Sequence, residues 1–250
     1  MPSGSTDDLR RTIVAMSELV EQNVDTAIMA LIDRSDHLAN QVVTFERAVN
    51  EVDLEIGEMA AYILRHVKES DDEFRFTVTA MRISSLLERI SNLSSNIAAA
   101  ALFLNTRRGI LSSVEDMGDM LENTAGMVRD SVYSLISSDS EMAWDVCLRD
   151  DVVDECFNRI VAEVAETIRK DPSVTDRAVR IAFAASDLEH IANHACGIAQ
   201  EVIFLLEGKI LRYHLAEHQR IRKEEIASGK RPAPGSRSGP GRGQSRPADA

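Results

Sequence analysis

The stretch LERISN at residues 87–92 returns about a hundred positions later as LEHIAN at residues 188–193. A repeated apolar pattern needs only a repeated helix, but a repeated Glu-x-x-x-Asn on that helix asks for something more. Around the first word, Ile83, Leu86, Ile90, Leu93, Ile97, Ala101 and Leu104 recur at steps of three and four, which is one apolar face of a helix. Around the second, Ile181, Ala185, Leu188, Ala192, Ala195, Ala199, Val202 and Leu206 do the same. At 100° per residue Glu88 and Asn92 fall opposite the first stripe, and Glu189 and Asn193 lie well off the second. The spacing therefore predicts that these four polar residues are not needed by the core.

The repetition extends well beyond the two words. A shift of 101 residues lays Leu87-Glu88 on Leu188-Glu189 and Ile97-Ala98 on Ile198-Ala199. A shift of 104 lays Val42 on Val146, Glu46 on Asp150 and Val49-Asn50-Glu51 on Val153-Asp154-Glu155. Helical periodicity runs almost throughout, with breaks expected near Arg34–Asp36, Glu69–Asp72, Arg107–Gly109, Ser137–Ser140 and Asp171–Ser173. These divide the chain into six helices, longer than the globular average. The expectation is an all-α protein of two tandem three-helix bundles, residues 8–107 and 108–225, with a disordered tail over 226–250.

Composition points the same way. Aromatic residues make up 4% of the 250, and few Gly or Pro precede residue 228, which favours packed helices over sandwiches and barrels. The formal charge is −13, so the body should repel nucleic acid and anionic membrane surfaces. The tail carries Lys230, Arg231, Arg237, Arg242 and Arg246 against Asp249, a net of +4, which leaves −17 on residues 1–227. No apolar run approaches a membrane span and no apolar signal core opens the chain, so a cytoplasmic protein is expected. Cys147, Cys156 and Cys196 lack metal-ligand spacing and read as buried small hydrophobes.

The second and fifth helices carry a matching device. Glu46 and Asn50 are four apart, as are Asp150 and Asp154, and residues so spaced share a helix face. Two such pairs on neighbouring helices could offer four oxygen ligands at one seam. Oxygen clusters suit hard cations such as Mg²⁺, Ca²⁺, Mn²⁺ or iron. The same spacing equally suits a solvated polar face.

At these residues the chain resembles the PhoU family. The third-helix words are close to that family's L-E-R-I-G-D, and ERAVNEVD (46–53), RDDVVDECFNRIVAEV (149–164) and IAQEVIFLLEGKILRYH (198–214) resemble its second-helix and closing patterns. The resemblance covers about residues 8–214 and implies two three-helix bundles with acidic metal-binding motifs, divalent or iron cations (Mg, Ca, Mn, Fe or Zn) being the implied cofactor. The matching positions are Glu46, Asn50, Glu88 and Asn92 in the first repeat, and Asp150, Asp154, Glu189 and Asn193 in the second. Asp53 and Asp151 could assist, and His190 and His194 could add softer ligands. Asn replaces the family's Asp at 50, 92 and 193, which removes charge and makes the second repeat the better ligand set.

No Gly-rich phosphate loop, nucleophile elbow, Cys-His pairing or HExxH word is present, so no catalytic residue is expected. The resemblance implies a regulator that couples the phosphate ABC transporter to a sensor histidine kinase and represses the phosphate-starvation response under sufficiency. Its partners would be the transporter's ATPase subunit (PstB) and the kinase (PhoR), with a second copy in a homodimer. The alternative is a metal-binding bundle, or an accessory protein of a different phosphate or anion transporter.

Overall fold

A computed structural model describes residues 5–66, 70–106, 116–208, 210 and 215–228. Among them lie seven α-helices and no strand: α1 Thr6–Ile32, α2 Asp36–His66, α3 Asp71–Asn105, α4 Asp116–Ser137, α5 Ser140–Lys170, α6 Thr175–Glu207 and α7 Leu215–Ala227. A 3-10 turn, Pro172–Val174, joins α5 to α6. The first six are the two sets of three read from the repeat. The seventh was not foreseen, and it runs two residues into the segment expected to be tail. The remainder of that tail, from Gly229, and the break expected near Arg107–Gly109 lie outside the described residues.

Several of the helices begin where the sequence supplies caps. Ser70 and Glu73 form a reciprocal capping box, Glu73 N–H to Ser70 Oγ at 3.3 Å and Ser70 N–H to Glu73 Oε2 at 3.0 Å. The two first turns are copies of one another. Arg34 and Ser138, 104 residues apart, both adopt left-handed backbone with φ of 52° and 54°. Each is followed by a residue whose N–H reaches back to a carbonyl in the last turn, Ser35 to Ala30 at 3.1 Å and Asp139 to Ser134 at 3.0 Å. Those same residues then cap the next helix, Ser35 Oγ accepting from Leu38 N–H and Asp139 Oδ1 from Met142 N–H.

One continuous core joins the two bundles. Its centre is the pair α3 and α6, each packed against the other as well as against its own bundle. Arg82 meets Glu201, Leu86 meets Gly197, the charge of Arg89 acts on His194, the Asn96 amide acts on the Asp187 carboxyl, and Arg180 lies over the ring of Phe103. Every step along α3 is matched by an equal step back along α6, so the two helices run antiparallel in one register. Because a shift of 101 residues turns α3 into α6, this junction carries a local twofold axis. Arg129 of α4 adds a second tie between bundles, to Glu21 of α1 at 2.9 Å.

The sharing of α3 among three neighbours corrects the apolar stripe. Leu87, left off that stripe, is fully buried, whereas Leu86 and Leu93 are only half-buried. A helix with three partners buries a wider arc than one facing a single core, so Glu88 and Asn92 are half-buried rather than free in solvent. All three cysteines are buried, as expected. No helix among the described residues is long and apolar enough to cross a membrane.

Candidate functional site

The eight polar residues divide between two seams, α2–α3 and α5–α6. In the first, Ser95 Oγ donates a hydrogen bond to Glu46 Oε2, and Ser84 Oγ donates to Asp53 Oδ1 at 2.8 Å. These two ties run antiparallel and place Asn50, Glu88 and Asn92 between them. Asn92 Nδ2 donates to Glu88 Oε1 at 2.6 Å along the same helix. Every carboxylate of this seam thus has a neutral donor. Of the four candidate residues in this seam, Asn50 is the one whose Oδ1 is buried without a hydrogen-bond partner among the described residues.

The second seam has the same backbone plan and different chemistry. Asn193 Nδ2 donates to Glu189 Oε1 at 2.7 Å, which copies the Asn92–Glu88 bond. However, the position of Ser95 is taken by Cys196, and Asp53 and Ser84 are replaced by Phe157 and Ala185. The hydroxyl donors are gone. Asp150, the counterpart of Glu46, keeps a buried Oδ1 with no hydrogen-bond partner. Burial, followed by repulsion from Asp154, Asp151 and Glu189, pushes its carboxyl up to about 6. Asp154 is pushed up too, by burial and by Asp151.

The two histidines lie beyond this seam on α6. His190 Nε2 is 3.3 Å from Glu189 Oε2. His194 faces the junction with α3, where burial and then the positive charge of Arg89 and of His190 lower its pKa.

The first seam does not suit a cation, because its acids are satisfied by side chains that a metal would have to displace. The second suits one in charge and donor type: four acids repel one another and one oxygen lacks a donor. Asp150, Asp154, Glu189 and the amide oxygen of Asn193 are the atoms that would hold it, and the ion would supply the missing positive charge. Among the described residues, though, no three His, Cys, Asp or Glu side chains are gathered closely enough to hold a metal ion.

The sequence reading missed the two serine donors, Ser84 and Ser95, and the pairing of Asn96 with Asp187. Serine in a helix carries no ligand signal by itself. Laying the repeats over one another reveals it, since Ser95 then falls on Cys196 and Ser84 on Ala185.

The PhoU domain family model matches residues 13–101 and 117–202, one copy over each bundle. The chain belongs to the PhoU family. It is 30% identical over 207 residues to the phosphate-specific transport system accessory protein PhoU homolog 1 of Thermotoga maritima, covering 83% of this chain and 89% of that one. A PhoU homolog of Pseudomonas aeruginosa is 29% identical over 211 residues, 83% of this chain and 86% of that protein. The crystal structure of PhoU from Pseudomonas aeruginosa superimposes with a TM-score of 0.76 at 28% identity, covering 81% of this PhoU-family chain and 97% of the other. The regulatory PhoU of Streptococcus pneumoniae shares the fold at 18% identity, with a TM-score of 0.71 over 82% and 96% of the two chains.

Proposed function

We propose that this chain is a cytoplasmic accessory protein of a phosphate ABC transporter and a repressor of the phosphate-starvation response. It would contact the transporter's ATPase subunit (PstB) and a sensor histidine kinase (PhoR), transmitting phosphate sufficiency from one to the other. The observation that carries this reading is the family match over both bundles, together with relatives whose names describe phosphate-specific transport accessory proteins. The physical surface supports it. Long acidic helices leave large apolar side chains in solvent, among them Leu54 (70% exposed), Phe74 (55%) and Phe183 (59%), which suits docking onto other proteins and, through one such face, a homodimer. The residue inventory offers binding surfaces rather than reaction chemistry, so no catalytic role is assigned.

The test pairs genetics with capture. Deleting the gene should switch on the starvation response in phosphate-rich medium, and the tagged protein should retain transporter ATPase and kinase. Glu88→Gln and Glu189→Gln should leave that retention intact. An unchanged response on deletion, with neither partner retained, would overturn the reading.

A second reading, a cation held by the α5–α6 seam, is favoured by the unpartnered Asp150 oxygen. Elemental analysis of protein purified without chelator decides it: stoichiometric Mg, Ca, Mn, Fe or Zn that disappears in Asp150→Asn/Asp154→Asn supports it, and metal-free parent protein rejects it.

A further inference from the structure

The local twofold axis relates Leu86 and Gly197 to Asp187 and Asn96, yet the two ends of the junction are filled differently. At the second end the Asn96 amide acts on the Asp187 carboxyl across it, and Arg180 lies 4.9 Å from the Phe103 ring centroid, leaving a cavity of about 280 Å³. At the first end Gly197 contributes no side chain and Leu86 packs directly over it; a Cβ built on Gly197 would sit 3.3 Å from Leu86 Cδ1. The result is a half-open groove of about 590 Å³ between α3 and α6. That is the size of a small-molecule site.

Its walls are chemically divided. Leu86, Met81 and Phe204 give an apolar surface, the last an aromatic one. Arg82, Arg89, Ser85 and Gln200 supply hydrogen-bond donors. Arg82 is held by Glu201 at 3.0 Å, whereas Arg89 is exposed and has no ion-pair partner among the described residues. On a body of strongly negative charge, this groove keeps an excess of positive charge.

We propose that the α3–α6 groove binds a small amphipathic organic anion, with an apolar or aromatic body on Leu86 and Phe204 and a phosphate or carboxylate head on Arg89. Such a head pairs with a guanidinium through two parallel hydrogen bonds. A free inorganic anion would gain nothing from the apolar walls. The site lies at the α3–α6 junction, not in the α2–α3 or α5–α6 seam, and the inference does not depend on the transporter reading.

The probe is 8-anilinonaphthalene-1-sulfonate, an aromatic body with one negative charge, titrated by fluorescence into the full chain at pH 7.5. One saturable site is expected, unchanged in Arg47→Glu on the exposed face of α2 and weakened at least tenfold in Arg89→Glu. Arg89 is exposed, so its charge reversal keeps the fold, which matching circular-dichroism melts check. Ser85→Phe, which fills the groove, should abolish binding. Displacement by AMP or by decanoate identifies the body as nucleotide-like or acyl, and either supports the proposal; inorganic phosphate at equal concentration should not displace. Binding that fails to saturate, that is indifferent to both groove variants, or that phosphate reverses as well as AMP and decanoate do, overturns it.

Discussion

The Asn96 amide acts on the Asp187 carboxyl across the α3–α6 junction, in the place that Gly197 and Leu86 occupy when the two repeats are exchanged. One backbone register therefore carries a polar tie at one end and a close apolar contact at the other. Duplication set the geometry, and later substitutions gave its two ends separate chemistry.

The tie makes a pH-dependent prediction. Burial raises the pKa of Asp187, and the Asn96 amide and His190 pull it back down. Asn96→Ala removes the donor and lets that pKa rise further. A carboxyl with a raised folded-state pKa costs stability as pH climbs from its unfolded value through the folded one. The variant should therefore lose about 1 kcal/mol relative to the parent at pH 8, a figure discounted because Asp187 is partly solvated. At pH 4 that loss should largely vanish. Alanine also gains roughly 0.3–0.7 kcal/mol of helix propensity over asparagine at any pH. The readout is thus the difference between urea melts at the two pH values, and an equal effect at both would count against the tie.

The contrast between seams can be reversed by one atom. Cys196 stands where the first repeat has Ser95, whose hydroxyl donates to Glu46. Cys196→Ser should offer Asp150 the same donor and lower its pKa from about 6 toward the ordinary carboxylate range. Carbon-detected NMR titration of the Asp150 carboxyl measures it directly. A titration midpoint that stays near 6 in the variant would show that the serine does not reach Asp150.

The helical bundle and its duplication were legible because they rest on spacing: Ile83, Ile90 and Ile97 return as Ala184, Ile191 and Ile198, and both sets are buried. Leu87 was misplaced because a wheel drawn for one helix cannot know that α3 has three neighbours. The acidic residues were legible as a set but not in their state. Whether a carboxylate is satisfied depends on a partner some fifty positions away, as Ser95 is from Glu46, and nothing local marks that serine. α7 escaped notice because its sequence, LAEHQRIRKEEIA, has no continuous apolar stripe; one tie to the bundle is Gln219 Nε2 donating to the Cys147 carbonyl at 2.6 Å.

The two left-handed turn residues are a stability reserve. Arg34 and Ser138 occupy the position after a helix where glycine is preferred, because a Cβ crowds the backbone at positive φ. Arg34→Gly and Ser138→Gly should each raise stability by about 0.5–1 kcal/mol, and the double variant should show their sum, since the turns belong to different bundles. Thermal melts of the three proteins test this, and a destabilised single variant would show that the side chain matters more than the backbone.

Asp150 itself should be a stabilising site to neutralise. Its folded-state pKa near 6 lies above the usual 3.8, so the folded protein binds a proton more readily than the unfolded chain between those values. Stability from this group is highest below about pH 4, falls as pH rises toward 6, and stays reduced above it. Asp150→Asn removes the ionisation, and the variant should be more stable than the parent by on the order of 1 kcal/mol at pH 7.5, after allowance for solvent screening. The two melting curves should converge near pH 4, where the parent carboxyl is already neutral. Millimolar Mn²⁺ separates this cost from a binding role. If the seam holds a cation, Mn²⁺ should raise the parent's Tm toward or past that of the variant and leave Asp150→Asn/Asp154→Asn unmoved. Should Mn²⁺ shift both proteins equally, the ion acts elsewhere and the seam does not hold it.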